Sequence, residues 1–96
     1  MGKLPCVDIL SSKRNGTLYV GVASDLVKRV YEHEHDLMEG LTKEYGTHTL
    51  VRFERHKTMG STIPRGKRIN TWNRSWELRL IEESNSEWRD LYEDIV

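Results

Sequence analysis

Residues 16–22 read GTLYVGV and are followed by ASDLVKRVYEH at residues 23–33. The first segment is rich in β-branched and aromatic residues, which favours a β-strand. Ser24 or Asp25 can cap the free amide groups at the start of a helix, and apolar residues then recur at helical spacing. The sequence therefore predicts a strand that leads directly into an amphipathic helix.

Three residues of this strand-to-helix unit have side chains suited to phosphate chemistry. Arg29 and His33 stand four residues apart, so both side chains leave one face of the helix about one turn apart. Arginine offers a planar fork of donors to phosphate oxygens, whereas Tyr19 and His33 can exchange protons when their surroundings tune the pKa. Each residue is also common in these positions without any catalytic role. Their spacing alone leaves a nuclease as one of several possible functions.

Two further segments predict strands. Residues 6–10 are rich in β-branched or apolar residues, and the Asn15-Gly16 pair that follows them suits the positive φ angles of a tight turn. This pattern predicts an antiparallel hairpin with the strand at residues 17–22. Residues 49–54 alternate as a third strand, and only one face of that strand is consistently apolar. We therefore expect a sheet that is covered on one side and wet on the other.

The second half of the chain predicts helices. Ser61 can cap a helix that holds Pro64 in its first turn, where a missing N–H costs little. Asn73 marks a break into two shorter helices, and Ser86 can cap a short helix at the end of the chain. A stripe that we expect to be buried consists of Ile69, Trp72, Trp76 and Leu80. Together with the strands, these helices predict one compact α+β domain.

The composition narrows the class of protein. The chain has 96 residues, 36% of them hydrophobic and 31% charged, which suits a single small soluble domain. No apolar run approaches the roughly 20 residues of a membrane helix, and the N-terminus lacks the apolar stretch of a signal peptide. Cys6 is the single cysteine, and no Cys/His spacing is typical of zinc sites. We expect a cytoplasmic protein.

The formal net charge of zero hides an uneven distribution of charges. Residues 65–76 contain no acid, whereas residues 82–94 contain six acids and a single arginine. The basic segment is either a phosphate-binding surface or a solvated helix face that the acidic segment partly compensates. Its basic residues, our candidates for nucleic-acid binding, are Arg65, Lys67, Arg68 and Arg74.

Taken together, these motifs resemble the GIY-YIG endonuclease family, and in particular its small, stand-alone bacterial branch. The resemblance extends from the hairpin and the helix start through residues 42–46 (TKEYG) and the tryptophan-containing helix to residues 80–91. It implies one domain over residues 1–96, with a motif core at about residues 4–80 and a C-terminal helix packed on it. The implied fold is a three-stranded antiparallel sheet flanked by helices.

The family resemblance also implies DNA cleavage with a divalent metal, Mg²⁺ or Mn²⁺, directed by DNA structure rather than by base sequence. Tyr19 matches the tyrosine of the second family motif, Arg29 matches the helix arginine, and His33 matches a histidine found one turn later in many members. In the family mechanism a tyrosine helps to activate water, the arginine stabilises the phosphate, and a later glutamate holds the metal.

Two positions depart from the family pattern. The tyrosine of the first motif is replaced by Asp8, and the metal-binding glutamate is replaced by Gly66. Aspartate lacks a phenol and brings a charge into an apolar strand, where burial without a partner is costly. Asp8 can point into a solvated cleft, pair with Arg29 or His33, or serve as a substitute metal ligand.

These departures leave three hypotheses. The first is a nuclease-fold protein that still contacts a nucleic-acid phosphate but whose cleavage is impaired. The second is an active metal-dependent endonuclease in which Asp8 holds the metal. The third is a non-catalytic module that binds nucleic acid or a protein partner through the basic segment. The oligomeric state does not follow from the sequence.

Overall fold

A computed structural model of the chain describes residues 4–35 and 49–96. Within these ranges the strands are β1 (Cys6–Ser11), β2 (Leu18–Ala23) and β3 (Thr49–Arg55). The helices are α1 (Leu26–Glu34), α2 (Met59–Asn70), α3 (Arg74–Ser84) and α4 (Tyr92–Ile95). The predicted α+β fold, a three-stranded antiparallel sheet flanked by helices, is confirmed. The motif at residues 42–46 lies outside the described residues, and no helix in the described ranges is long and apolar enough to cross a membrane.

The strand order is β2-β1-β3, with β1 in the centre and antiparallel to both neighbours. The predicted hairpin is confirmed, and Asn15 adopts the positive φ of 58° that its turn requires. Arg74 at the start of α3 donates 2.7 Å hydrogen bonds to the carbonyl oxygens of Asn15 and Gly16. The hairpin turn is thereby tied to a helix from the far end of the chain.

The sheet is covered on both faces, so the prediction of a one-sided sheet is wrong. Every residue of β1 is buried. A shift of register between Ile9 and Leu10, opposite residues 50–52 of β3, interrupts the alternation, so Val51 and Phe53, two residues apart, pack on opposite sides of the sheet. One core cluster includes Cys6, Leu10, Leu26, Val30, Leu50 and Leu91, and the other includes Val7, Ile9, Val51, Ile69, Ile81 and Trp88. Consequently α1 lies on one face of the sheet, and α2 and α3 lie on the other.

Helix α2 begins earlier than predicted. Thr58, not Ser61, is its N-cap, because the extended Thr58 accepts a hydrogen bond from the Ser61 amide. Pro64 therefore lies in the second turn rather than the first. The predicted break at Asn73 is confirmed, since its side chain caps α3. Trp76 is 52% exposed, so the prediction that it is buried is wrong.

The predicted helix beginning after Ser86 is also wrong, because only the short α4 is helical in this region. Trp88 is buried with a φ of 56°, which an α-helix does not allow. The buried Asn85 side chain donates to the carbonyl oxygens of Val51, at 3.0 Å, and Arg89, at 2.8 Å. These hydrogen bonds hold an irregular segment against the edge of β3.

Candidate functional site

A groove of about 350 Å³ runs between β2, at one edge of the sheet, and helix α2. Arg29 of α1 reaches the same groove from the other face of the sheet. Two of the predicted catalytic residues and one of the predicted phosphate-binding residues therefore meet here. The lining residues are Tyr19, Val20, Gly21, Val22, Arg29, Ile63, Gly66, Lys67 and Asn70.

Asp8 lies behind this groove and pairs with Arg29. The Asp8 side chain is fully buried, and its Oδ2 accepts a 2.9 Å hydrogen bond from Arg29 Nε. Gly21 is paired with Asp8 in the sheet, and a Cβ at Gly21 would collide with the Arg29 guanidinium. Arg29 also lies over the ring of Tyr19, with Cζ 5.4 Å from the ring centroid. Because Gly21 has no side chain, the Arg29 guanidinium can pass beside β2 and reach the Asp8 carboxylate in the central strand.

Burial sets the electrostatics of the Asp8–Arg29 pair. Desolvation raises the pKa of Asp8, and the charge and hydrogen bond of Arg29 lower it only in part. Asp8 Oδ1 and Arg29 Nη2 are also buried, and neither has a hydrogen-bond partner among the described residues. Asp8 therefore depends on Arg29 as its counter-ion, and the charge that Arg29 can offer to an external phosphate is partly neutralised.

Position 66, where the resemblance expects a metal-binding glutamate, lies in the contact between α2 and β2. Gly66 is buried, and a Cβ added to it would be 2.5 Å from Val22 Cγ2. A longer side chain at this position would need the space that Val22 occupies. The carboxylate is absent, and β2 packs closely against the helix at that point.

The described residues do not offer a donor set for the divalent metal that the family resemblance implies. No group of three or more His, Cys, Asp or Glu side chains within them is arranged to hold a metal ion. Asp8 has no exposed surface, and one of its oxygens is engaged by Arg29. Gly66 supplies no ligand. The geometry of this groove therefore does not fit a metal site built as in the family pattern.

The four residues predicted to bind nucleic acid have different surroundings. Arg65 donates from Nε and Nη2 to the two carboxylate oxygens of Glu54, at 3.0 and 2.9 Å. Arg74 is engaged with the hairpin turn, as described above. Lys67 and Arg68 are exposed and form no ion pair with any residue in the described ranges. Lys67 and Arg68 are thus the two members of the set that are available to an external phosphate.

Glu54 is the centre of an ion-pair cluster that no sequence pattern above predicts. Besides Arg65, it accepts hydrogen bonds from Arg52, at 2.8 Å, and it lies 3.3 Å from His56 Nε2. Burial raises the pKa of Glu54, but the hydrogen bonds from Arg65, Arg52 and His56 outweigh it and lower the pKa to about 2. The alternation of β3, which places Arg52 and Glu54 on one face, was the available signal.

His33 belongs to helix α1, one turn after Arg29. Its side chain lies outside what the structure describes. The catalytic role predicted for His33 stays a prediction.

Comparison with known proteins identifies the family. A family model described as the GIY-YIG catalytic domain matches residues 5–90. The chain belongs to the GIY-YIG family. A UPF0213 protein of Staphylococcus saprophyticus is 33% identical over 70 residues, which cover 73% of this chain and 85% of that protein. A UPF0213 protein of Staphylococcus aureus strain Mu3 is 35% identical over 69 residues, which cover 72% of this chain and 84% of that protein.

These relatives place the chain in the stand-alone part of the GIY-YIG family, as the sequence predicted. GIY-YIG proteins act on DNA, and GIY-YIG nucleases are generally metal-dependent. A comparison with solved structures finds no match.

Proposed function

We propose that this GIY-YIG domain binds DNA phosphates along the groove between β2 and α2, and that its metal-dependent phosphodiester cleavage is impaired. The observation that carries this proposal is the 2.9 Å ion pair between Arg29 and the buried Asp8. Arg29 matches the helix arginine that stabilises the phosphate in the family mechanism. In this chain it neutralises a carboxylate of the protein itself.

Impaired cleavage follows from the chemistry that the reaction needs. The developing charge on the phosphate must meet preorganised cations, and a compensated guanidinium contributes less to that stabilisation. Asp8 has no phenol with which to activate water, and Gly66 has no carboxylate for a metal. The burial of Asp8 favours a loss of activity over its use as a substitute metal ligand.

Binding is supported by the cations that remain exposed. Lys67 lines the groove beside Arg29, and Arg68 follows it on the exposed side of α2. Lysine and arginine bind DNA phosphates with release of counterions, even when the net charge of the whole protein is zero. Phosphate contacts carry no sequence information, so we expect binding to respond to DNA structure rather than to base sequence.

The binding test compares two double variants that remove the same charge. Lys67→Ala/Arg68→Ala should weaken duplex binding and lower the slope of log K against log salt by roughly two, one unit for each lost phosphate contact. The control Arg55→Ala/Lys57→Ala removes two exposed cations at or beyond the end of β3, on the opposite edge of the sheet. It should change neither the duplex affinity nor the salt slope. Equal effects of the two double variants would refute binding at the groove.

The cleavage test uses supercoiled, branched and single-stranded DNA with Mg²⁺ or Mn²⁺. Arg29→Ala alone is a poor control, because it leaves a buried carboxylate without its counter-ion. Asp8→Asn/Arg29→Met removes both charges and is the matched variant. We expect no cleavage by the natural protein beyond that of the double variant. DNA cutting that the double variant loses would show a working site.

We also propose a cytoplasmic location, which access to chromosomal DNA requires in a bacterium. Cell fractionation tests this location, and recovery of the protein outside the cytoplasm would contradict it.

A further inference from the structure

A second surface, on helix α3, has no role in the groove. Trp76 is 52% exposed, and it is half of a pair of tryptophans rather than a single isolated apolar residue. The ring of Trp72 meets that of Trp76 edge-on, with centroids 6.0 Å apart and planes at 83°. This contact supports Trp76 from one side. The two rings border a small open groove of about 260 Å³, whose other lining residues are Arg79, Leu80 and Glu83.

We propose that this tryptophan surface stacks an unpaired nucleobase, so that the partner is single-stranded nucleic acid. Trp76, Arg79, Leu80 and Glu83 follow one another at i, i+3, i+4 and i+7, which places them on one face of α3. An indole face accepts any base by stacking. A guanidinium and a carboxylate beside it are the groups that pair with base acceptors and with exocyclic amines, respectively.

Charge favours a nucleic acid over an apolar protein segment as the occupant. Arg79 lines the groove together with Glu83. Beside it, Arg52 and Arg65 share the single carboxylate of Glu54, which leaves one positive charge in excess among these three side chains. The Arg65 guanidinium lies over the ring of Trp72, with Cζ 5.3 Å from the centroid. An exposed aromatic surface with arginines beside it is typical of single-strand binding, where cations meet phosphates while rings meet bases.

The surface discriminates between nucleic-acid forms for a geometric reason. A base inside a duplex is already covered on both faces by its neighbours, so it cannot stack on Trp76 unless it leaves the helix. A single strand offers its bases without that cost. The inference rests on the proposed function to the extent that phosphates of the same strand would also use Lys67 and Arg68.

The experiment is a titration of the intrinsic tryptophan fluorescence with a short oligothymidine and, separately, with a duplex of the same length. Trp88 is buried and provides a background that the ligand does not reach. Trp76→Ala should weaken single-strand binding at least about fivefold and leave duplex binding unchanged. Trp76→Phe should retain most of the affinity, since it keeps an aromatic face.

Tyr31→Ala is the matched control, because Tyr31 is 48% exposed on α1, on the other face of the sheet. Tyr31→Ala should change neither the single-strand affinity nor the duplex affinity. Unaltered single-strand binding by Trp76→Ala, or an equal loss for the duplex, would overturn the stacking surface and leave groove binding standing. Single-strand binding that requires Trp76 but is indifferent to Lys67→Ala/Arg68→Ala would support the stacking surface and show that the single strand does not use the groove, whose own test is duplex binding. Absence of quenching by the oligothymidine would overturn the inference in favour of another occupant.

Discussion

Replacement of Arg29 by methionine should destabilise the fold. Methionine keeps much of the unbranched stem but removes the only partner that the described residues provide for the Asp8 carboxylate. The Asp8 side chain has 0% exposure, so solvent cannot replace the lost interaction. Breaking a buried ion pair by removing one partner costs about 3–5 kcal/mol. That is a large part of the roughly 5–15 kcal/mol by which a domain of this kind is stable.

Asp8→Asn should restore most of this loss. Burial disfavours the charged form of Asp8, so a neutral amide in the same shape removes the desolvation penalty that Arg29 offsets. Urea unfolding of the natural protein, both single variants and the double variant at pH 7 gives the four free energies of unfolding. We expect a coupling free energy of at least about 2 kcal/mol with unchanged m-values.

The pH dependence provides an independent check. Because the folded pKa of Asp8 is raised above its unfolded value, the carboxyl binds its proton more tightly in the folded state. Arg29 lowers this pKa in the natural protein, so the folded pKa of Asp8 is higher still in Arg29→Met. The penalty in Arg29→Met is therefore fully present above the folded pKa of the variant, and it is lost as the pH falls below the folded pKa of the natural protein. A loss below about 0.5 kcal/mol in Arg29→Met, or no rescue by Asp8→Asn, would refute a buried counter-ion role, since changes of that size are typical of surface sites.

Three further changes test the packing around the site. Glu54→Gln should cost about 1–2 kcal/mol at pH 7, and it should flatten the fall in stability as the pH drops from about 4.5 to about 2, because the folded pKa of Glu54 is about 2. Acid titration of the unfolding midpoint measures this, and an unchanged profile would contradict it. Gly66→Ala should destabilise the natural protein by about 1 kcal/mol, because the added Cβ meets Val22. In a Val22→Ala background the same change should stabilise the protein, since only the higher helix propensity of alanine remains. A change of the same sign in the free energy of unfolding in both backgrounds would be inconsistent with that contact. Asn85→Ala should cost about 2–3 kcal/mol, and it should speed hydrogen exchange at the Leu91 amide, which bonds to β3; exchange at the natural rate would exclude a clamping role.

Several features that depend on contacts between residues close in sequence were predicted correctly, whereas several that depend on contacts between distant segments were not. The hairpin turn at Asn15 and the break between helices at Asn73 involve atoms a few residues apart, so local sequence suffices to predict them. The helix after Ser86 was wrongly predicted because hydrogen bonds from the preceding Asn85 to β3 and to Arg89 overrode an apolar pattern typical of a helix. Trp76 was misassigned because a helical repeat does not say which of its members meets the sheet.

The candidate site divides in the same way. The strand ending in Tyr19-Val20-Gly21 and the helix with Arg29 identified the family, and they predicted which residue types would face a phosphate. Asp8 pairs with Arg29 across 21 positions, and Gly21 is what lets them meet. Whether Arg29 is free to bind a substrate depends on the burial of Asp8 and on the 2.9 Å distance between Arg29 Nε and Asp8 Oδ2. These are properties of packing between distant segments, so only the tertiary structure decided them.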